Sequence, residues 1–189
     1  MTESRYRTVI DEAYLAEKAH GIRWRKTFSF LEHSALAGTA FSVGLDLGER
    51  TPLTGMLEEL FGAPFTNTQV DLDLERLEGE YKVVTAFEVL EHLYNPLHAL
   101  LEVKGVLRGE GARLFVSMPL HKPEFLASPD HFHEMSGAAA HALFQRAGFR
   151  VVRKGEFRIR QPWFYCRGVK PLLRAWYEKV QIYELAVQQ

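Results

Sequence analysis

The sequence predicts an α/β fold of three layers: a mostly parallel central sheet with helices on both faces. Three stretches carry that expectation. Residues 82–119 read as strand, helix, strand, because Val83, Val84, Ala86 and Phe87 form a short apolar run, Leu97, Leu100 and Leu101 follow at helical spacing, and Arg113 to Met118 is a second apolar run stopped by Pro119. Parallel strands need such a crossover, and it is right-handed. Residues 40–48, AFSVGLDLG, read as a strand ending in a tight turn that opens a helix. Residues 137–147 form a helical pattern closed by Gly148, and a strand pattern follows.

In order, residues 5–20 suit a helix with Val9, Ile10 and Tyr14 on one side. Gly21 is expected to break it. Trp24 would follow, and residues 27–37 would form a second helix through Phe28, Leu31 and Ala35. After the 40–48 strand, Thr51 is a candidate N-cap with Pro52 at the first helical position, and Leu53, Met56, Leu57, Leu60 and Phe61 supply the apolar stripe up to Gly62. Phe65 to Asp73 is the next strand candidate. Asn95 and Pro96 repeat the cap-and-proline start for the crossover helix, which the Gly109–Gly111 turn ends, and Ser136 caps the helix from Gly137. Phe149 to Arg160 alternates apolar and basic residues as an edge strand would. The tail from Gly168 to Gln189 reads as helix, with Leu172, Leu173, Trp176, Val180 and Leu185 as its stripe. The whole suits one domain: a helical cap over 1–38, an α/β core over 39–160 and a C-terminal extension over 161–189.

Composition narrows the function classes. The chain has 189 residues and a formal net charge of -1, so nothing global argues for a nucleic-acid or anionic-membrane partner. Acids dominate residues 46–110 and bases dominate 150–179. Cys166 is the single cysteine, which removes disulfide frameworks and multi-cysteine metal sites. The N-terminus lacks the apolar centre of a signal peptide and no apolar run would cross a bilayer, so a cytoplasmic protein is expected.

The 87–119 stretch carries a resemblance. FEVLEHL, an Asn-Pro helix start, then VLRGEGARLFVSMP resembles the second half of class I S-adenosylmethionine-dependent methyltransferases, a Rossmann-like fold. The segment HFHEMS over 131–136 and QRAGF over 145–149 are similar to that family too. The resemblance implies S-adenosylmethionine as cofactor and a small molecule or a cell-envelope glycan precursor as methyl acceptor. Only a short stretch separates Gly48 from Lys82, so one strand–helix pair of the family's sheet is expected to be missing.

The same resemblance implies site residues. Asp46 and Gly48 match the opening of the cofactor motif, in which glycine lets the backbone approach the ligand. The later glycine positions hold Arg50 and Pro52. Two readings of Arg50 stand: its guanidinium holds the cofactor carboxylate, or it fills the cofactor's space. Asp71 and Asp73 lie roughly 20 residues past the turn, where an acid grips ribose hydroxyls. If their strand matches the family's third, that acid would meet adenine, and a solvent-facing role is the third alternative. Phe87 and Glu88, at the end of a strand, would line the cofactor. Glu88 or His92 would orient or deprotonate an acceptor, unless Glu91 and His92 merely start a helix and bond the backbone.

The clustered Asp130, His131, His133 and Glu134 admit a metal reading, but the spacing is permissive. The family points instead to His131 and His133 at the mouth of the substrate pocket, as acid–base groups, with no metal. The interleaved Arg158, Arg160, Trp163, Phe164, Tyr165 and Arg167 suit an anionic ligand or a protected sheet edge. Exposed aromatics in the tail are compatible with a homodimer face. A catalytically inactive binding or scaffold protein of the same fold is the alternative function, and a metal-dependent hydrolase a third.

Overall fold

The computed structural model describes residues 18–126, 128, 131–160, 162–166, 168–169, 171 and 176–188. Among the described residues the elements follow one another as α1 (Lys18–Leu31), β1 (Gly44–Asp46), α2 (Pro52–Phe61), β2 (Phe65–Asn67), β3 (Val83–Phe87), α3 (Pro96–Val106), β4 (Arg113–Pro119), α4 (Gly137–Ala147), β5 (Phe149–Arg158), the single turn α5 (Pro162–Tyr165) and β6 (Lys179–Val187). Short 3-10 turns occupy Leu90–His92 and Glu124–Leu126. The six strands lie in one sheet in the order β2-β1-β3-β4-β6-β5. β2, β1, β3 and β4 are parallel, while β6 runs antiparallel to both β4 and β5.

Alternation along the strands divides the core into two layers. Val84, Ala86, Leu114, Val116 and Met118 meet Leu100 and Val103 of α3 and Phe144 of α4 on one face. Val83 and Phe115 meet Leu31 of α1 and Leu57 and Phe61 of α2 on the other. Helix starts follow the sequence: Asn95 Oδ1 accepts from His98 N at 3.2 Å, and Ser136 Oγ accepts from Ala139 N at 3.2 Å.

The expected absence of a strand–helix pair is visible in the topology. β2 is hydrogen-bonded directly to β1, Gly44 opposite Phe65, and forms the sheet edge. That position closes the alternative in which β2 takes the place of the family's third strand. Only turns connect it to β3. Both early strands are shorter than expected, because the β1–β2 ladder spans three residue pairs and then ends.

Two expectations are corrected. Gly21 does not break a helix: α1 runs through it from Lys18 to Leu31 and takes in Trp24. A glycine in a helix costs about 1 kcal/mol, and the packing of Leu31 against the sheet outweighs it. The expected 5–20 helix, with Val9, Ile10 and Tyr14, lies almost entirely outside the described residues.

The C-terminal tail is not all helix. Lys179–Val187 is β6, inserted between β4 and β5. Val180 to Ala186 are all buried, so apolar residues recur on both faces and a helical stripe can be read into them by chance. Leu172 and Leu173, the start of that stripe, lie outside the described residues. β5 is the opposite edge of the sheet, and its exposed alternate positions include Arg150, Lys154 and Arg158, charges that protect such an edge, while Arg153 lies half-buried against Glu184.

Candidate functional site

The chain enters β1, crosses to β2 on one side, then returns to β3 on the other. The β1/β3 boundary is therefore the point where strand order reverses, and open α/β sheets hold ligands outside the carboxyl ends of the strands there. Asp46, Gly48, Glu88 and Val89 follow the ends of these two strands.

Asp46 is buried behind the turn. Thr54 Oγ1 donates to its Oδ2 at 2.7 Å, Thr85 Oγ1 to its Oδ1 at 2.6 Å, and Asn67 Nδ2 to Oδ2 at 3.3 Å. Burial still dominates these bonds and pushes its pKa up to about 6. Asp46 thus ties β1, β2, β3 and α2 together.

Gly48 has φ +96, a conformation that glycine adopts at least cost. A side chain added there would meet only Val89 Cγ2, at 3.9 Å, so the space above the turn is open. Its N–H donates to Thr68 Oγ1 at 2.7 Å, and its carbonyl accepts from Asn67 Nδ2 at 3.2 Å. Asn67 and Thr68 are polar residues at the end of β2 that the sequence reading passed over. Their signal was their place at the strand's carboxyl end, hidden because the strand was read as running on to Asp73.

Arg50 is paired within the chain. Its guanidinium sits two-pronged on Glu58 of α2, and the pair is exposed. Asp71 and Asp73 do not reach the crevice floor. Asp71 Oδ1 accepts from Asp73 N within its own turn, and the Asp73 carboxylate accepts from Tyr94 N at 3.1 Å and Asn95 N at 2.7 Å. Both acids are used to shape the approach to α3. Phe87 packs against the second core layer.

Glu88 is the one non-glycine residue with φ in the left-handed region among the described residues, at 55°. Its N–H donates to Ser117 O, Ser117 Oγ donates to its Oε1 at 2.9 Å, and Arg23 of α1 stands 3.4 Å from its Oε2. Glu88 therefore bridges the ends of β3 and β4 to the helix above. Beside it opens a cavity of about 170 Å³ whose walls include His20, Arg23, Glu88, Lys122, His131 and Arg160.

The 131–133 loop is pinned to the 3-10 turn after β3. Phe132 N and His133 N donate to Glu91 O at 2.8 and 3.2 Å, and the Tyr94 and Phe132 rings stack at 4.3 Å. This brings the His131 ring edge-on to His92, with centroids 4.9 Å apart. His131 Nδ1 stands 2.8 Å from Glu134 Oε1, which Lys122 Nζ also reaches at 2.8 Å. Burial pushes Glu134 up, but the His131 and Lys122 bonds outweigh it and hold its carboxyl below the usual range. His133 points elsewhere, its Nε2 3.3 Å from Tyr94 O, and does not line the cavity. The Asp130–His131–His133–Glu134 string is thus not one constellation: Asp130 lies outside the described residues, and His131 and His133 diverge.

Glu91 lies inside the 3-10 turn Leu90–His92, which Val89 precedes. It is fully buried, and both carboxylate oxygens lack a hydrogen-bond partner. Burial, then the charge of Glu88, pushes its carboxyl well above the usual range.

The family model described as "Methyltransferase domain" matches residues 43–154, more than half of the chain. The chain belongs to this methyltransferase family. The match covers β1 through most of β5 and with them the turn at Gly48, Glu88 and the 131–136 segment. The chain is a class I S-adenosylmethionine-dependent methyltransferase in family and fold, as the 87–119 resemblance implied. No curated protein sequence matches it significantly. Among solved structures it is similar to a chain of the Haloferax volcanii complex between the Trm112 methyltransferase activator and a methyltransferase, with TM-score 0.65, 15% identity, and coverage of 96% of this chain and 100% of that one. A SAM-dependent methyltransferase from Leishmania major gives TM-score 0.61 at 13% identity, over 90% of this chain and 74% of that one. The [4+2]-cyclase SpnF gives 0.57 at 14%, over 87% and 81%. At these identities the likeness is one of fold, and the cyclase shows that the methyltransferase fold hosts other chemistry. No helix among the described residues is long and apolar enough to cross a membrane.

Proposed function

We propose that this methyltransferase uses S-adenosylmethionine to methylate a small molecule or a cell-envelope glycan precursor. The observation that carries the reading is the juxtaposition at the β1/β3 switch point. An open turn at Gly48 stands on one side, and Glu88 on the other forms part of a polar cavity. The open space at the Gly48 turn supports a fit to the cofactor, while Arg50, Asp71 and Asp73 have partners in Glu58, in a turn and at the start of α3.

When bound, the cofactor supplies a methyl group on a cationic sulfur, reactive without further activation. What remains for the chain is alignment and a proton acceptor. Glu88, which Ser117 and Arg23 hold in place, and His131, whose Nδ1 faces Glu134, are the cavity groups placed to orient an acceptor hydroxyl or amine. His92 stands behind His131 rather than in the cavity wall.

Calorimetric titration of the purified chain with S-adenosylmethionine and S-adenosylhomocysteine tests the proposal. Micromolar binding that Gly48→Val abolishes is the expected result. Absence of binding up to millimolar cofactor would overturn it and leave the inactive binding or scaffold protein, for which the Arg50–Glu58 pair and Pro52 in the shortened turn are the supporting observations.

A further inference from the structure

Glu91 is a residue that the fold as described leaves unexplained. A carboxylate removed from water with both oxygens unpartnered costs several kcal/mol in general, and such groups persist where something else satisfies them. Glu91 is 0% exposed. One ligand atom each of Glu91, His92 and His131 lies within 4.8 Å of the others. We infer that Glu91, His92 and His131 form a site for a divalent transition-metal cation, zinc or iron(II), at the wall of the cavity beside Glu88.

The donor set is two imidazoles and one carboxylate, which suits these borderline cations better than magnesium or calcium. Metal–ligand bonds near ~2.1 Å hold such atoms about 3.4 Å apart, so small side-chain rotations close the set. His131 carries a second mark of a metal ligand. Glu134 Oε1 accepts from its Nδ1, which leaves the Nε2 lone pair for a cation, and Lys122 anchors Glu134 from behind. A ligating histidine backed in this way is oriented and made more basic. The surrounding field agrees: two further carboxylates, Glu88 and Glu134, act on Glu91 against one guanidinium, Arg23. Backbone bonds from Phe132 and His133 to Glu91 O lock the two ligand-bearing segments together before any metal arrives.

Three protein ligands leave coordination positions for water or for an oxygen of whatever occupies the cavity, since His131 lines it. The site stands on its own residues and does not depend on the cofactor proposal.

The test is titration of chelator-treated full-length chain with Zn²⁺ against a chromophoric competitor, with Co²⁺ as the spectroscopic probe. One equivalent should bind at micromolar or lower concentration, and bound Co²⁺ should show the visible absorption of a nitrogen–oxygen site. His92→Ala and His131→Ala should each weaken binding by at least about 100-fold, beyond what loss of an outer hydrogen-bond partner costs, whereas His33→Ala, just past the end of α1, should not. Glu91→Gln keeps the shape and replaces the carboxyl, which must ionise to bind a cation, with an amide that cannot. It should raise the thermal midpoint of the metal-free chain and abolish the rise that Zn²⁺ gives the native one. No binding below millimolar metal would overturn the proposal. So would binding that the His92, His131 and Glu91 variants leave intact.

Discussion

Asp46 illustrates how a single residue sets conditions for the whole crevice. Three side-chain donors converge on it, yet burial leaves its pKa at about 6, above the ordinary 3.8. The folded state therefore holds this proton more tightly than the unfolded chain does. Its contribution to stability is fully present below the unfolded value and is lost as pH rises through about 6. At one pKa unit per 1.36 kcal/mol, the loss is about 3 kcal/mol between pH ~4 and pH ~7. Asp46→Asn keeps the Thr54 and Thr85 partners and removes the charge. Denaturant titrations at pH ~4.5 and ~7.5 should show the variant gaining stability relative to the native chain at the higher pH. An unchanged difference between the two pH values would show that Asp46 ionises normally. Asn95 is a simpler case. Its side chain caps α3 through His98 N, so Asn95→Ala should cost about 1 kcal/mol by chemical denaturation.

At the scale of elements, β6 explains why the antiparallel end of the sheet holds. Glu184 on this strand is 2% exposed and accepts from Arg113 of β4 at 3.3 Å, from Arg153 of β5 and from Ser34 at 3.0 Å. Arg153 in turn donates to Phe30 O and lies 4.3 Å over the Phe30 ring, so one carboxylate organises two neighbouring strands and α1. Removing one member of a buried ion group strands the others. Glu184→Ala should destabilise the fold by about 3–5 kcal/mol, whereas Leu in its place, with both arginines also made apolar, should recover much of that. A thermal-melt series of the single and triple variants checks it. These same residues disguised the strand: Gln181 and Glu184 interrupt an apolar run with polar groups that look solvent-facing until Arg113 and Arg153 are seen beside them. The helical reading of the tail failed over Lys179–Val187 for that reason.

For the whole molecule, the sheet order places the last strand in the interior. β6 contributes Val180, Ile182, Tyr183 and Leu185 to the buried set and is hydrogen-bonded between β4 and β5 in the sheet. A chain ending at residue 178 should therefore fail to fold, with loss of cooperative melting and of near-ultraviolet circular dichroism. Retention of a cooperative transition would show that β1–β4 with α2–α4 form an independent unit. Terminal strands at sheet edges tolerate truncation far better, because they give up one ladder rather than two.

Local chemistry is what the sequence determined unaided. The capped starts of α3 and α4 and the apolar runs of β3 and β4 rest on contacts within a few residues or on simple alternation. The motif residues FEVLEHL and VLRGEGARLFVSMP within 87–119 already resembled the methyltransferase family. The short span from Gly48 to Lys82 already implied a smaller sheet. Gly48 and Glu88 were visible as site candidates because strand ends could be located from apolar runs.

Tertiary structure alone decided the rest, because partners far apart in sequence compete for the same polar groups. Arg50 went to Glu58 and Asp73 to the amides before α3, choices that no spacing rule contains. His131 and His133, one residue apart, diverged because backbone bonds to Glu91 fix the loop between them. Glu91 read as an ordinary helix-start acid, since burial is a property of what covers a residue and not of the residue. Only the packed chain shows a carboxylate held in the interior without a protein partner, beside two imidazoles brought from segments about 40 residues apart.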